Sequence, residues 1–205
     1  IQLSEIQLAI QQIARSKAPG ADGFPIEYYA THSEILAPKL LELYNEAWER
    51  GILPPTLREA VIMVLHKPGR DPQAVRSYRP LSLLNSDYKI LVKVLANRLR
   101  RVIGALIDPD QNRFIPSRNT FLNTRRLIHI MQADSQPAGA PAAVALDIEK
   151  AFNTLNWQFL HTVMATICFG PYYTRWVHTL YKDPQARVKT GHIFSDNFSI
   201  HRVTR

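Results

Sequence analysis

Residues 86 to about 103 constrain the fold more than any other part of this 205-residue chain. Leu91, Val94, Leu95, Leu99 and Val102 recur at helical spacing, and so broad an apolar stripe has to be buried against another layer. Lys89, Lys93, Asn97 and Arg100 take the opposite face. A solvated helix face accounts for that row as well as contact with a phosphate backbone does. Two helices are expected upstream. The first starts with Ser4 as N-cap, Gln7 completing a capping box, and Leu3 and Leu8 placed as a hydrophobic staple. It turns Ile6, Ile10 and Ile13 to one side and ends near Lys17, because Ala18-Pro19-Gly20-Ala21-Asp22-Gly23 reads as a loop. The second carries Leu40, Tyr44, Ala47 and Trp48, and Gly51 with Pro54-Pro55 closes it.

Residues 61–65 form a short apolar run rich in strand formers, followed by a basic turn at 67–72. A block at 110–118 leads into a helix with Arg125 and Arg126, and the small, Pro/Gly-bearing residues 133–141 read as a surface connection. Residues 142–147, Ala-Ala-Val-Ala-Leu-Asp, have the pattern of a buried strand that ends on a carboxylate. Helices follow around 157–167 and 172–181, and residues 186–190 and 193–201 read as strands paired about Gly191-His192. The class is α+β.

Charge is segregated along this order. Residues 60–130 hold 13 of the 25 Lys and Arg but only 4 of the 17 Asp and Glu, so the excess behind the net charge of +8 lies in the middle of the chain. Such a block raises the local potential toward polyanions, of which a phosphate backbone is the commonest in a cell. Cys168 is the single cysteine, which excludes an internal disulfide and a thiolate zinc site and fits a reducing compartment. No two histidines lie at helical ligand spacing, and no apolar run approaches the roughly 18 residues of a membrane span. The chain opens on Ile1 and stops at Arg205 in an extended pattern, as a piece of a longer protein would.

A carboxylate at the end of a buried strand is costly without a cationic partner, and a divalent metal is the strongest such partner. By itself Asp147 is more often a helix N-cap or a salt-bridged residue. Its surroundings read Leu146-Asp147-Ile148-Glu149-Lys150-Ala151-Phe152, and this run resembles the first catalytic motif of reverse transcriptases, in the form found in non-LTR (LINE-type) retrotransposons. Four further blocks follow the order of that family. They are Lys17-Ala18-Pro19-Gly20-Ala21-Asp22-Gly23, Lys67-Pro68-Gly69-Arg70-Asp71-Pro72, Ser77-Tyr78-Arg79-Pro80-Leu81-Ser82-Leu83-Leu84-Asn85 with Tyr88-Lys89-Ile90, and Asp110-Gln111 with Phe114-Ile115-Pro116-Ser117-Arg118.

The resemblance implies fingers plus the first part of a palm: an N-terminal helical extension over residues 1–60, basic fingers over 61–132, a linker over 133–141 and a partial palm over 142–205. It implies RNA-directed DNA synthesis by two-metal nucleotidyl transfer. Asp147 would be the catalytic carboxylate and, with the carbonyl of Ile148, a ligand of two Mg2+ ions. Phe152 would gate against a ribose 2′-hydroxyl, and Lys67 and Arg79 would hold the incoming triphosphate. Lys17, Lys89, Lys93, Arg100 and Arg118 would track template and primer backbones. The partners are an RNA template, a DNA primer and deoxynucleoside triphosphates, with no membrane, and the setting is nuclear by resemblance alone.

The chain departs from the family pattern at three places. Asn153 stands where Asp usually follows the gate aromatic, Arg113 where Gly is usual, and Val203 where Gly belongs in the approach to the next motif. The paired Asp-Asp hairpin of the palm is expected beyond residue 205. One carboxylate cannot organise two Mg2+ ions, so this chain alone is expected not to polymerise. The rival expectations are a non-catalytic nucleic-acid-binding fragment that uses the basic middle segment, and a fragment too open at its palm edge to fold stably.

Overall fold

The computed structural model describes residues 1–133, 144–148 and 151–202, without the side chains of residues 133, 152 and 153. Its helices are α1 (Leu3–Gln12), α2 (Ile26–Thr31), α3 (Ser33–Arg50), α4 (Pro55–Arg58), α5 (Ser86–Arg100), α6 (Ile103–Leu106), α7 (Phe121–Ala133), α8 (Ala151–Thr154), α9 (Trp157–Thr166) and α10 (Pro171–Tyr181). Its strands are β1 (Glu59–His66), β2 (Tyr78–Leu83), β3 (Gln185–Thr190), β4 (Ile193–Phe194) and β5 (Phe198–Ser199). Two compact units result, residues 1–95 with 152–205, and residues 96–151. The α+β class holds.

In the first unit the apolar stripe of α5 does what its spacing demands. Ile90, Leu91, Val94 and Leu95 are buried with Ile6, Ala9 and Ile10 of α1, with Ala37, Leu40, Tyr44 and Ala47 of α3, and with Trp176 and Leu180 of α10. Each such large aliphatic side chain contributes about 1.5–3 kcal/mol on burial. Gly51 caps α3 in the left-handed conformation, as its place in the sequence predicts. The sheet runs β2-β1-β3-β4, with β5 also on β3. Strand β1 is antiparallel to β2 and parallel to β3, with Glu59 opposite Gln185 and Met63 opposite Lys189.

Three local expectations are corrected. Helix α1 begins at Leu3 with Gln2 as N-cap, because the Glu5 carboxylate accepts the Gln2 N–H at 2.8 Å and completes the capping box there. Ser4 thus lies inside the first turn, and Leu3 and Leu8 are exposed rather than stapled. The helix stops at Gln12 instead of near Lys17, since the chain turns back onto α2: the Ser16 N–H donates to Glu27 Oε1 at 2.5 Å and Arg15 Nη1 to the Ile26 carbonyl at 3.3 Å. The strand expected over 193–201 is broken into β4 and β5. Ser195 Oγ accepts the Val188 N–H and its own N–H donates to the Val188 carbonyl, both at 2.9 Å, so a side chain occupies a ladder position.

In the second unit α6 and α7 flank a turn-rich segment. Asn112 is buried there, with its Nδ2 donating to Asn123 Oδ1, and Asn123 Nδ2 donates to the Asp110 carbonyl at 2.7 Å. Residues 144–148 have no regular secondary structure, which corrects the expected buried strand. Val144, Leu146 and Ile148 are 80%, 90% and 72% exposed. A strand needs a neighbour to take up its N–H and C=O groups, and among the described residues no strand pairs with this segment. Of the connection expected at 133–141, Ala133 ends α7 and residues 134–141 lie outside the described residues.

Candidate functional site

Strand β1 is joined to β3 only as far as Met63, while its pairing with β2 continues through Val64, Leu65 and His66. The outer half is therefore a two-stranded ribbon projecting beyond the sheet, and Val64 and Leu65 are exposed on it. Leu65 lies opposite Arg79 and His66 opposite Tyr78, and the Lys67 N–H donates to the Ser77 carbonyl at 2.7 Å. Side chains alternate across a ribbon, so Lys67 and Arg79 are diagonal neighbours on one face. Sequence reading proposed both residues for the same task, and only the register brings them together.

The loop between the strands is stapled to itself. Lys67 Nζ donates to the Arg76 carbonyl at 2.7 Å, Tyr78 OH to the Pro72 carbonyl at 2.9 Å, and His66 Nε2 lies 3.0 Å from the Arg70 carbonyl. Arg70, Arg76 and Arg79 are exposed and Lys67 is half-buried. Asp71 is the one carboxylate of the loop and accepts the Gln73 N–H at 2.9 Å. A preorganised tip of four cations and one carboxylate offers a phosphate charge-assisted donors at little ordering cost.

The loop at 17–25 is welded to the start of α5 by residues whose part the sequence did not reveal. Asn85 is buried, its Nδ2 donates to the Thr56 carbonyl at 3.1 Å, and its Oδ1 accepts the Asp22 N–H at 3.4 Å. Ser86 Oγ donates to the Phe24 carbonyl at 2.7 Å. Gly20 sits so close that a Cβ there would lie 2.0 Å from Asn85 Oδ1. Its place in a motif-bearing loop was legible, its contact with Asn85 was not. Asp87 follows, half-buried, and burial pushes its carboxyl up to about 6, helped by Asp22. Tyr44 OH donates to the Asp87 carbonyl at 2.7 Å, and burial with the nearby Asp87 raises that phenol well above its ordinary range.

The basic row of α5 is accordingly divided. Lys89 Nζ donates to the Ala18 carbonyl at 3.0 Å, and burial holds the ammonium below its ordinary pKa while Asp22 opposes the shift. Lys89 clamps the loop. Lys93 is half-buried, and Lys17 and Arg100 are exposed. In the second unit the half-buried Arg118 spends its guanidinium on backbone: Nη1 donates to the carbonyls of Asp108 and Gln111 at 2.5 and 2.8 Å, and Nη2 to those of Gly104 and Ile107 at 2.7 and 3.1 Å. Four carbonyls at one guanidinium organise the turn after α6.

Asp147 is exposed in the irregular segment 144–148, next to Ile148. Among the described residues no group of three or more His, Cys, Asp or Glu side chains converges as a metal site, so the donors that a pair of octahedral Mg2+ ions needs are not assembled there. The side chains of Phe152 and Asn153 lie outside what the structure describes, as do residues 149, 150 and 203. Arg113 is described, and its guanidinium lies 5.4 Å from the centre of the exposed Phe114 ring.

Residues 65–203 match the family model of reverse transcriptase (RNA-dependent DNA polymerase). The chain is 33% identical over 189 residues to the transposon TX1 uncharacterized 149 kDa protein of Xenopus laevis, covering 92% of this chain and 14% of that protein. It is 30% identical over 179 residues to a probable RNA-directed DNA polymerase from transposon BS of Drosophila melanogaster, covering 84% of this chain and 19% of that protein. It is also 27% identical over 155 residues to the RNA-directed DNA polymerase from mobile element jockey of the same fly, 75% of this chain and 17% of that protein. The chain thus spans less than a fifth of these relatives.

Proposed function

Since this chain belongs to the reverse transcriptase (RNA-dependent DNA polymerase) family and is related to the enzymes of non-LTR retrotransposons, we propose that it is the fingers and first palm part of such a polymerase. Its task is to hold an RNA template with a DNA primer and the triphosphate of an incoming deoxynucleotide. The observation that carries this reading is the pair Lys67 and Arg79 on one face of the β1–β2 ribbon, inside the matched span. Lys67, already aimed by its bond to Arg76, supplies a compact charge, and Arg79 supplies a planar fork of donors. Lys17, Lys93 and Arg100 follow the nucleic-acid backbone, while Lys89 and Arg118 shape the loops that meet it. Asp147 is the first carboxylate of the catalytic centre, Ile148 lends its carbonyl and Phe152 gates the sugar.

The family implies Mg2+ in the full enzyme. Asp147 alone does not fit a pair of such ions, so the chemistry proposed for the described residues is binding and orientation, and the 205-residue chain alone does not polymerise. The basic middle segment carries a second reading, in which the chain acts as a non-catalytic RNA-binding or hybrid-binding fragment. The setting proposed is the nucleus, and no helix among the described residues is long and apolar enough to cross a membrane.

Fluorescence anisotropy of an RNA/DNA hybrid, titrated with the chain between about 50 and 200 mM salt, tests the reading. Contact with Z phosphates lowers log affinity with log salt at a slope of about −0.9Z on duplex DNA. Arg100→Ala is expected to flatten the slope by about one contact, and Asp147→Ala to leave binding intact. A salt-independent affinity would sink the backbone-tracking role.

A further inference from the structure

A second cationic feature of the first unit plays no part in that reading. Helices α9 and α10, with Gly51 and His201, border an open cavity of about 600 Å³, which is nucleotide-sized. His161, Arg175, His178, Lys182 and His201 line it, and among the described residues no carboxylate does. His161 and His178 stack face to face, ring centres 3.6 Å apart and planes within 9°. Two parallel imidazoles at that distance resist holding a proton each, and burial together with His178 lowers the pKa of His161. His161 Nδ1 is enclosed and has no hydrogen-bond partner among the described residues.

The cations around the pair are held in place. Arg175 donates through Nη2 to the carbonyls of Trp48 and Glu49 at 2.6 and 3.3 Å, and its guanidinium lies 4.5 Å from the centre of the Trp48 ring. Lys182 is exposed at the end of α10. Trp157 and Tyr181, with ring centres 5.1 Å apart and planes tilted by 45°, add an aromatic wall. The charged and titratable groups that line the cavity with the stacked pair are Arg175 and Lys182 from the α10 side and His201 from the last described segment, all basic. Such a set of donors, without a counter-ion among the described residues, is charge-complementary to an anion, and the aromatic wall suits a base or a sugar better than a bare ion.

We propose that this cavity binds a phosphodiester of a single nucleic-acid strand, with His161, stacked on His178, taking one proton from solvent as the anion enters. No covalent bond changes. The site is separate in the sequence from the ribbon residues and stands whether or not the polymerase reading does.

The test uses the full chain, a six-residue oligouridylate without terminal phosphates, and inorganic sulfate as the free anion. Neither probe titrates between pH 5.5 and 7.5, so any pH dependence belongs to the protein. Binding is followed by the imidazole resonances of His161 and His178. Affinity for the oligouridylate is expected to rise about tenfold from pH 7.5 to 5.5. His161→Gln is expected to cut that gain below twofold, and the exposed His178→Gln, which removes the stacked ring, and Lys182→Gln are each expected to weaken binding about threefold at both pH values. Lys67→Ala with Arg79→Ala should leave the histidine shifts unchanged, which separates this site from the ribbon. Silent histidine resonances, a pH gain that survives His161→Gln, or sulfate binding as tightly as the oligouridylate would each overturn the proposal.

Discussion

Gly20→Ala is the sharpest probe of how the 17–25 loop is held. A Cβ at Gly20 would lie 2.0 Å from Asn85 Oδ1, 2.4 Å from Asn85 N and 2.6 Å from Asn85 Cα. Ordinary contact needs more than 3.4 Å, so loop and helix must part by an ångström or more. Asn85 cannot step aside cheaply, because it is buried and its amide serves Thr56 on one side and Asp22 on the other. Overpacking costs about 1–3 kcal/mol, and a buried amide left without its partners costs about 1–3 kcal/mol more, giving about 2–6 kcal/mol in all. Gly23→Ala is the internal control. It has φ +77° with open space around it, so it bears only the left-handed strain of about 1–2 kcal/mol. Urea unfolding at constant m separates the two. The double change Gly20→Ala with Asn85→Ala is expected to recover less than half of the loss, since two of the three close atoms are backbone. If Gly20→Ala proves no worse than Gly23→Ala, or if Asn85→Ala rescues it fully, the close-approach argument is wrong.

Asp87 gives a pH signature. Its folded pKa of about 6 exceeds the ordinary 3.8, so the native state holds more protons than the unfolded one in between. Its contribution is therefore fully present below about pH 4 and is lost as pH rises through 6. At about 1.36 kcal/mol per unit the loss is about 3 kcal/mol, and Asp87→Asn should raise stability at pH 7 by up to that amount and flatten the pH 4 to 7 profile; an unchanged profile in urea melts would refute the assignment. Arg118→Lys replaces a fork serving four carbonyls with a single ammonium. It should cost about 1–3 kcal/mol and speed amide exchange across residues 104–118, and unchanged protection there would count against it. Lys67→Ala should weaken triphosphate binding about tenfold, the loss of one charge-assisted contact, with equilibrium dialysis as the readout; full affinity would remove Lys67 from the site.

The ribbon and the 17–25 loop share one design. Each fixes the backbone of a loop that carries a cation through side-chain bonds to its carbonyls, from Lys67 and Tyr78 in one case and from Ser86 and Lys89 at the start of α5 in the other. A loop held in this way does not have to be ordered on binding.

Much was legible in the order of residues. The stripe Leu91, Val94 and Leu95 announced a buried helix, Val61 and Ile62 a strand, and the ordered motif blocks the family, because helical period, strand propensity and motif wording are local properties of the chain. What stayed hidden depends on residues far apart in sequence. The parallel pairing of β1 with β3 joins segments more than 120 residues apart, and nothing in either names the other. Arg118 looked like a surface cation until four carbonyls closed around it, and the segment ending at Asp147 looked like a buried strand although it has no strand partner among the described residues. His161 and His178 stack only because α9 packs on α10. Periodicity states which side of an element must be buried, whereas register, partner and the fate of each charged head are decided when remote backbones meet and every buried donor has to find its acceptor.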